Sequence, residues 1–149
     1  MRFSFAGAGV LLLLAGCDTL RGVAIRTSLS EPVDVSCVTA TLSAIPEAGE
    51  VVYEQNVSRS TEILPKQRKI VTTMHVWRYG EGRRANLWII ESVRGRKFEN
   101  SRLQLGRAVP LEEVARFIPL MREVNRAIQA QCGVPVADLE AEAVNQRLR

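Results

Sequence analysis

The sequence predicts an α+β fold, a two-layer sandwich that lays helices on one face of a four-stranded antiparallel meander. Three observations predict it. Val35, Val38, Leu42 and Ile45 recur at spacings of three and four, the period of a helix with one apolar stripe. Four strand-like segments between residues 51 and 105 are joined by short connections, which favours antiparallel neighbours. A second helical stripe runs from Leu111 to Ile128. The expected order is helix, four strands, a long helix kinked or split at Pro119, and a short C-terminal helix.

Before these elements the chain carries an export pattern. Arg2 supplies a positive start, and Phe3 to Leu14 form an apolar run too short to span a bilayer. Ala15 and Gly16 are small enough to let a peptidase approach the bond before Cys17. Leu14-Ala15-Gly16-Cys17 resembles the lipobox of bacterial lipoproteins, L-[AS]-[GA]-C, at every position. The resemblance implies that residues 1–16 are a removed signal peptide, that Cys17 carries a diacylglycerol thioether, and that the new amino terminus is open to acylation. Asp18 resembles the residue by which enteric lipoproteins avoid outer-membrane sorting, which implies the periplasmic face of the inner membrane. Where other sorting rules hold, the outer membrane is the alternative. Residues 17–29 read as the lipidated cysteine and a tether, and the twelve residues after Cys17 reach at most about 40 Å when extended. Residues 30–149 read as a single periplasmic domain.

Ser30-Glu31-Pro32 supplies a capping hydroxyl, an acid and a proline to start the first helix, and Ile45-Pro46-Glu47-Ala48-Gly49 stops it. Strands are expected over residues 51–57, 69–79, 83–93 and 98–105. Gly80-Glu81-Gly82 reads as a three-residue hairpin loop, pairing Tyr79 with Arg83 and His75 with Leu87. Arg94-Gly95-Arg96 makes the next turn. Leu111, Val114, Ile118, Met121, Val124 and Ile128 stripe the long helix, and Cys132-Gly133-Val134-Pro135 ends it with a left-handed glycine cap. Leu139, Val144 and Leu148 then stripe a short last helix.

Composition bounds the rest. The chain has 149 residues, a net charge of +4 and 46% hydrophobic content, so a folded domain is expected and disorder is not. Arginine far outnumbers lysine, a bias better ascribed to genome composition than to nucleic-acid binding, and no nucleic-acid partner is expected. With Cys17 assigned to lipid, Cys37 and Cys132 are left as an even pair in an oxidising compartment, and a disulfide between the two main helices is expected.

Catalytic motifs are missing: there is no G-x-S-x-G, no phosphate loop and no G-x-G-x-x-G. No metal site or cofactor is expected, because His75 is the single histidine and no cysteine cluster accompanies it. Two surfaces remain as candidates. His75, Trp77 and Tyr79 share one face of the central hairpin with Val71, Thr73, Leu87 and Ile89, while Met74, Val76, Trp88 and Ile90 share the other. Only one face needs helices, so a binding face at His75, Trp77 and Tyr79 is a candidate. Lys66, Arg68, Lys69, Arg94, Arg96 and Lys97 converge at one end of the sheet, where anionic headgroups or an acidic envelope protein would fit. The function expected is non-enzymatic: a lipid-anchored domain that binds or supports a cell-envelope component. A small-molecule or lipid-binding module using an apolar sheet face is the alternative, and an envelope hydrolase around His75 the less favoured one.

Overall fold

The computed structural model describes residues 21–62, 67–104 and 109–135. In chain order these form β1 (Arg21–Leu29), α1 (Val35–Ser43), a 3-10 turn at Pro46–Ala48, β2 (Val52–Glu62), β3 (Arg68–Tyr79), a 3-10 turn at Glu81–Arg83, β4 (Ala85–Ser92), β5 (Gly95–Gln104) and α2 (Leu111–Cys132). The sheet is antiparallel and five-stranded, in the order β1-β5-β4-β3-β2. The expected helix followed by a four-stranded meander is therefore corrected: a strand comes first and closes the sheet beside the last one.

That strand is made from residues read as tether. Val23, Ile25 and Leu29 alternate with Ala24, Arg26 and Ser28, and the first three are buried. The alternation is that of a half-buried strand, and its place just after the lipobox-like Leu14-Ala15-Gly16-Cys17 is what favours the tether reading. β1 pairs with β5 over its whole length, from Arg21↔Gln104 to Leu29↔Arg96. Leaving it free would have exposed those apolar side chains and the outer edge of β5.

The central hairpin also differs from its expected register. Its connection contains the turn at Glu81–Arg83, so Tyr79 pairs with Ala85, His75 with Ile89 and Trp77 with Leu87. The slip is two residues, and side chains alternate with period two, so each side chain keeps its expected face.

α1 starts later than expected. Asp34, not Ser30, caps it, its Oδ1 accepting from the amides of Ser36 at 2.8 Å and Cys37 at 3.2 Å. α2 continues through Pro119 as one helix, so of the expected kink or division the division does not occur, and Gly133 (φ 65°, ψ 18°) closes it in the left-handed region as expected. The expected helix after Pro135 lies outside the described residues.

Both helices cover one sheet face. Val38 and Leu42 of α1 and Val114, Met121, Val124 and Ile128 of α2 join Val23, Ile25, Trp77, Tyr79, Leu87, Ile89 and Phe98 in a single core. Each such fully buried large side chain contributes roughly 1.5–3 kcal/mol. The Cys37–Cys132 disulfide joins the first turn of α1 to the last turn of α2, with Cα atoms 5.8 Å apart. The expected bridge between the helices is present.

Candidate functional site

The face carrying His75, Trp77 and Tyr79 is the helix-covered face. Trp77 and Tyr79 are fully buried, so the candidate binding face at these residues is corrected to a part of the core. Trp77 donates its indole N–H to Thr39 Oγ1 of α1 at 2.8 Å. Tyr79 donates to Asn100 Oδ1 at 2.5 Å, and Asn100 Nδ2 donates to Asn125 Oδ1 at 2.8 Å. This buried chain ties β3 and β5 to α2, as buried polar groups must be paired to be tolerated. Asn125 Nδ2 has no hydrogen-bond partner among the described residues.

His75 sits where helix cover ends. It is 8% exposed, and its Nδ1 shares a 2.9 Å hydrogen bond with Tyr53 Oη of the edge strand β2. Tyr53 also packs against Trp77, with ring centroids 5.2 Å apart. The histidine is thus held by a phenol and an indole. Beyond it, Tyr53, Val57 and Val71 are exposed on the same side of the sheet. Among the described residues, no group of three or more His, Cys, Asp or Glu side chains is placed to hold a metal ion.

The cationic end is partly neutralised. Arg94 donates to Glu62 at 2.6 Å; Arg96 donates to Glu91 at 3.1 Å and to the Ser30 carbonyl at 3.5 Å. Arg68, Lys69 and Lys97 are exposed. Lys66 lies outside the described residues, as do Cys17 and Asp18. In the register the described cations share one end of the sheet: Arg68 opposes Glu62, Thr72 opposes Ser92, and Arg96 opposes both Glu91 and Leu29.

Sequence reasoning missed a cleft at the opposite end. It has a volume of about 320 Å³ and lies between the β3–β4 connection and α2, with Glu81, Arg84, Glu113, Arg116, Phe117 and Leu120 among its walls. Arg102 reaches it from β5 although only 6% exposed, donating to Glu113 through Nε at 3.1 Å and Nη2 at 2.5 Å, and to the Leu103 carbonyl at 3.2 Å. Arg84 adds a 3.4 Å contact to the same carboxylate. The Arg102 hydrogen bonds hold the Glu113 carboxyl below its ordinary range. One signal was available: Phe98, Asn100 and Arg102 alternate on the core-facing side of β5, so a cation stood where an apolar residue was due.

The site combines an ion pair, a histidine bonded to a tyrosine and buried amides, an arrangement that ties the fold together and presents mixed charge at both ends of the sheet. No protein-family model, curated protein or solved structure matches this chain. No helix of the described residues is long and apolar enough to cross a membrane.

Proposed function

We propose that this chain is a bacterial lipoprotein, held at the membrane through Cys17, whose domain binds or supports a component of the cell envelope without catalysing a reaction. The observation that carries the reading is Leu14-Ala15-Gly16-Cys17, which follows a positively charged start and a short apolar run. The Cys37–Cys132 bridge supports it, because disulfides persist in exported proteins and are rare in reducing compartments. His75 supports the non-enzymatic part: its Nδ1 is bonded to a tyrosine within a packed aromatic cluster.

Membrane fractionation of wild type and Cys17→Ala, with mass measurement of the amino-terminal peptide, tests the reading. Wild type is expected in the membrane fraction with a peptide that begins at Cys17 and carries acyl mass. Cys17→Ala is expected to lose that mass and leave the membrane. Normal processing and membrane retention of the variant would overturn the proposal. For the inner-membrane placement, density-gradient separation should move Asp18→Ser outward relative to wild type; no movement, or wild type already in the outer membrane, removes that placement and leaves the anchor intact.

An apolar-ligand module is the second reading, and one observation favours it: the exposed strip of Tyr53, Val57 and Val71 beside the helices. Val71→Asp should abolish binding of a solvatochromic apolar dye if that strip takes a ligand, and leave it unchanged otherwise.

A further inference from the structure

We propose that the domain stands on its anchoring membrane with the β3–β4 connection and the adjoining cleft against the headgroups, and with the cationic end of the sheet pointing away. The inference rests on the reading of Cys17 as the lipidated residue and adds to it the surface that meets the lipid.

Chain length carries the first step. β1 begins at Arg21, so only Asp18, Thr19 and Leu20 separate the anchor from the sheet. Four Cα–Cα steps reach at most about 15 Å. The start of β1 is therefore held within that distance of the lipidated cysteine.

Register carries the second. The start of β1 lies beside the end of β5 (Arg21↔Gln104), and across the sheet Ala24, Ser101, Asn86, Arg78 and Val52 fall in one row. That end holds the turn at Glu81–Arg83, the turn at Pro46–Ala48 whose Ala48 carbonyl accepts from Gly80 N at 2.7 Å, and the start of α2 through Glu113. Its surface is mixed in charge, with an Arg83–Glu50 ion pair and Arg84, Glu81 and Arg116 around the cleft. β1 then climbs to Leu29, eight residues on and about 27 Å higher at strand rise. Leu29 opposes Arg96, so Arg68, Lys69, Arg94, Arg96 and Lys97 are at the far end. That separation exceeds three Debye lengths, each about 8 Å at physiological salt, so these cations contribute little attraction to the anchoring membrane.

The third step is what keeps the domain upright. The large apolar side chains that are exposed among the described residues are Tyr53, Val57, Val71 and Val93. The first three lie on the helix-bearing side at the edge remote from β1, and Val93 is in the distal turn. The sheet face turned away from α1 and α2 has Val76 and Ser101 buried and Arg26–Glu99 and Arg78–Glu54 ion pairs across it. Met74, Trp88 and Ile90 on it are half-buried, and among the described residues none of its large apolar side chains is exposed as Tyr53, Val57 and Val71 are, so it offers little with which to lie flat on a bilayer.

The test uses the full-length lipidated protein in phosphatidylethanolamine–phosphatidylglycerol vesicles containing a headgroup-nitroxide lipid. Cys37 and Cys132 are bridged and Cys17 is acylated, so a fluorophore reports from a single introduced thiol. Glu81→Cys is expected to lose its fluorescence to the nitroxide, and Val93→Cys to keep the level seen without nitroxide. Quenching at both positions would mean a domain lying flat, and quenching at 93 alone an inverted one; either overturns the proposal. Flotation of the same samples separates the two claims: protein that does not float removes the anchor and this orientation together, whereas floating protein with the wrong quenching pattern removes the orientation alone.

Discussion

A Cβ on Gly22 would stand 2.0 Å from the carbonyl oxygen of Arg102, so β1 and β5 approach at this point more closely than any side chain allows. Gly22 also has φ +153°, which disfavours L side chains. Because the obstacle is backbone, it cannot swing aside. Gly22→Ala is expected to cost about 3 kcal/mol or more, the range of overpacking plus backbone strain. Urea unfolding checks it, and a loss under ~1 kcal/mol would mean that β1 adjusts without cost.

How much of this fold was legible follows from particular residues. Leu111 to Ile128 and Val35 to Ile45 carry periodic stripes, and both helices are where the period put them. β1 is hard to read because Arg21 to Leu29 follow closely on the lipobox-like Leu14-Ala15-Gly16-Cys17, where a tether is the natural reading, although Val23, Ile25 and Leu29 alternate. The hairpin slipped by two residues because Gly82 with Arg83 and Arg84 extends a loop whose glycines suggested a shorter one; Arg83 takes φ +54°, which few non-glycine residues do. Of the candidate residues, Cys37 and Cys132 were readable by counting. Trp77 and Tyr79 were placed on the right face, but which face the helices cover is set by tertiary packing. The Arg102–Glu113 pair joins residues eleven apart on different elements, and no local pattern announces such a contact.

The Cys37–Cys132 bridge closes a separation of 95 residues. In the chain-entropy model a loop of that size contributes about 4–5 kcal/mol by restricting the unfolded chain. The Cys37→Ala, Cys132→Ala double variant is therefore expected to unfold at markedly lower urea, with a larger m value because its unfolded state is more open. Alkylation without reductant should label neither cysteine in wild type purified without reductant, and quantitative labelling of both would contradict the bridge.

Glu113 gives stability a defined pH dependence. The Arg102 hydrogen bonds lower its folded pKa, while in the unfolded chain a glutamate titrates near ~4.3. A carboxyl with a lowered folded pKa binds fewer protons folded than unfolded. Its contribution is thus complete above the unfolded value and fades as pH falls through the folded one. Glu113→Gln strands the buried Arg102 and is expected to cost about 3 kcal/mol at pH 7. The gap between wild type and variant should narrow below about pH 4. A gap that is constant from pH 7 to pH 3 would show that the charge pair is not what Glu113 contributes.

Tyr79, Asn100 and Asn125 form the interior polar chain, and each removal leaves a defined group bare. Tyr79→Phe orphans Asn100 Oδ1 in the buried interior, which costs about 1–3 kcal/mol. The two residues act through one hydrogen bond, so a double-mutant cycle of Tyr79→Phe with Asn100→Leu should show a coupling of about 0.5 kcal/mol or more. Burial also raises the Tyr79 phenol well above the ordinary tyrosine range, with the Asn100 hydrogen bond opposing in part. The phenol therefore stays protonated and keeps donating at alkaline pH. In a Tyr53→Phe variant, which leaves Tyr79 as the only tyrosine, phenolate absorbance should be absent at about pH 10, where a free tyrosine is half ionised. It should rise only when the protein unfolds. Half-ionisation at pH 10 in the folded variant would place the phenol in water and break the chain that ties β3 and β5 to α2.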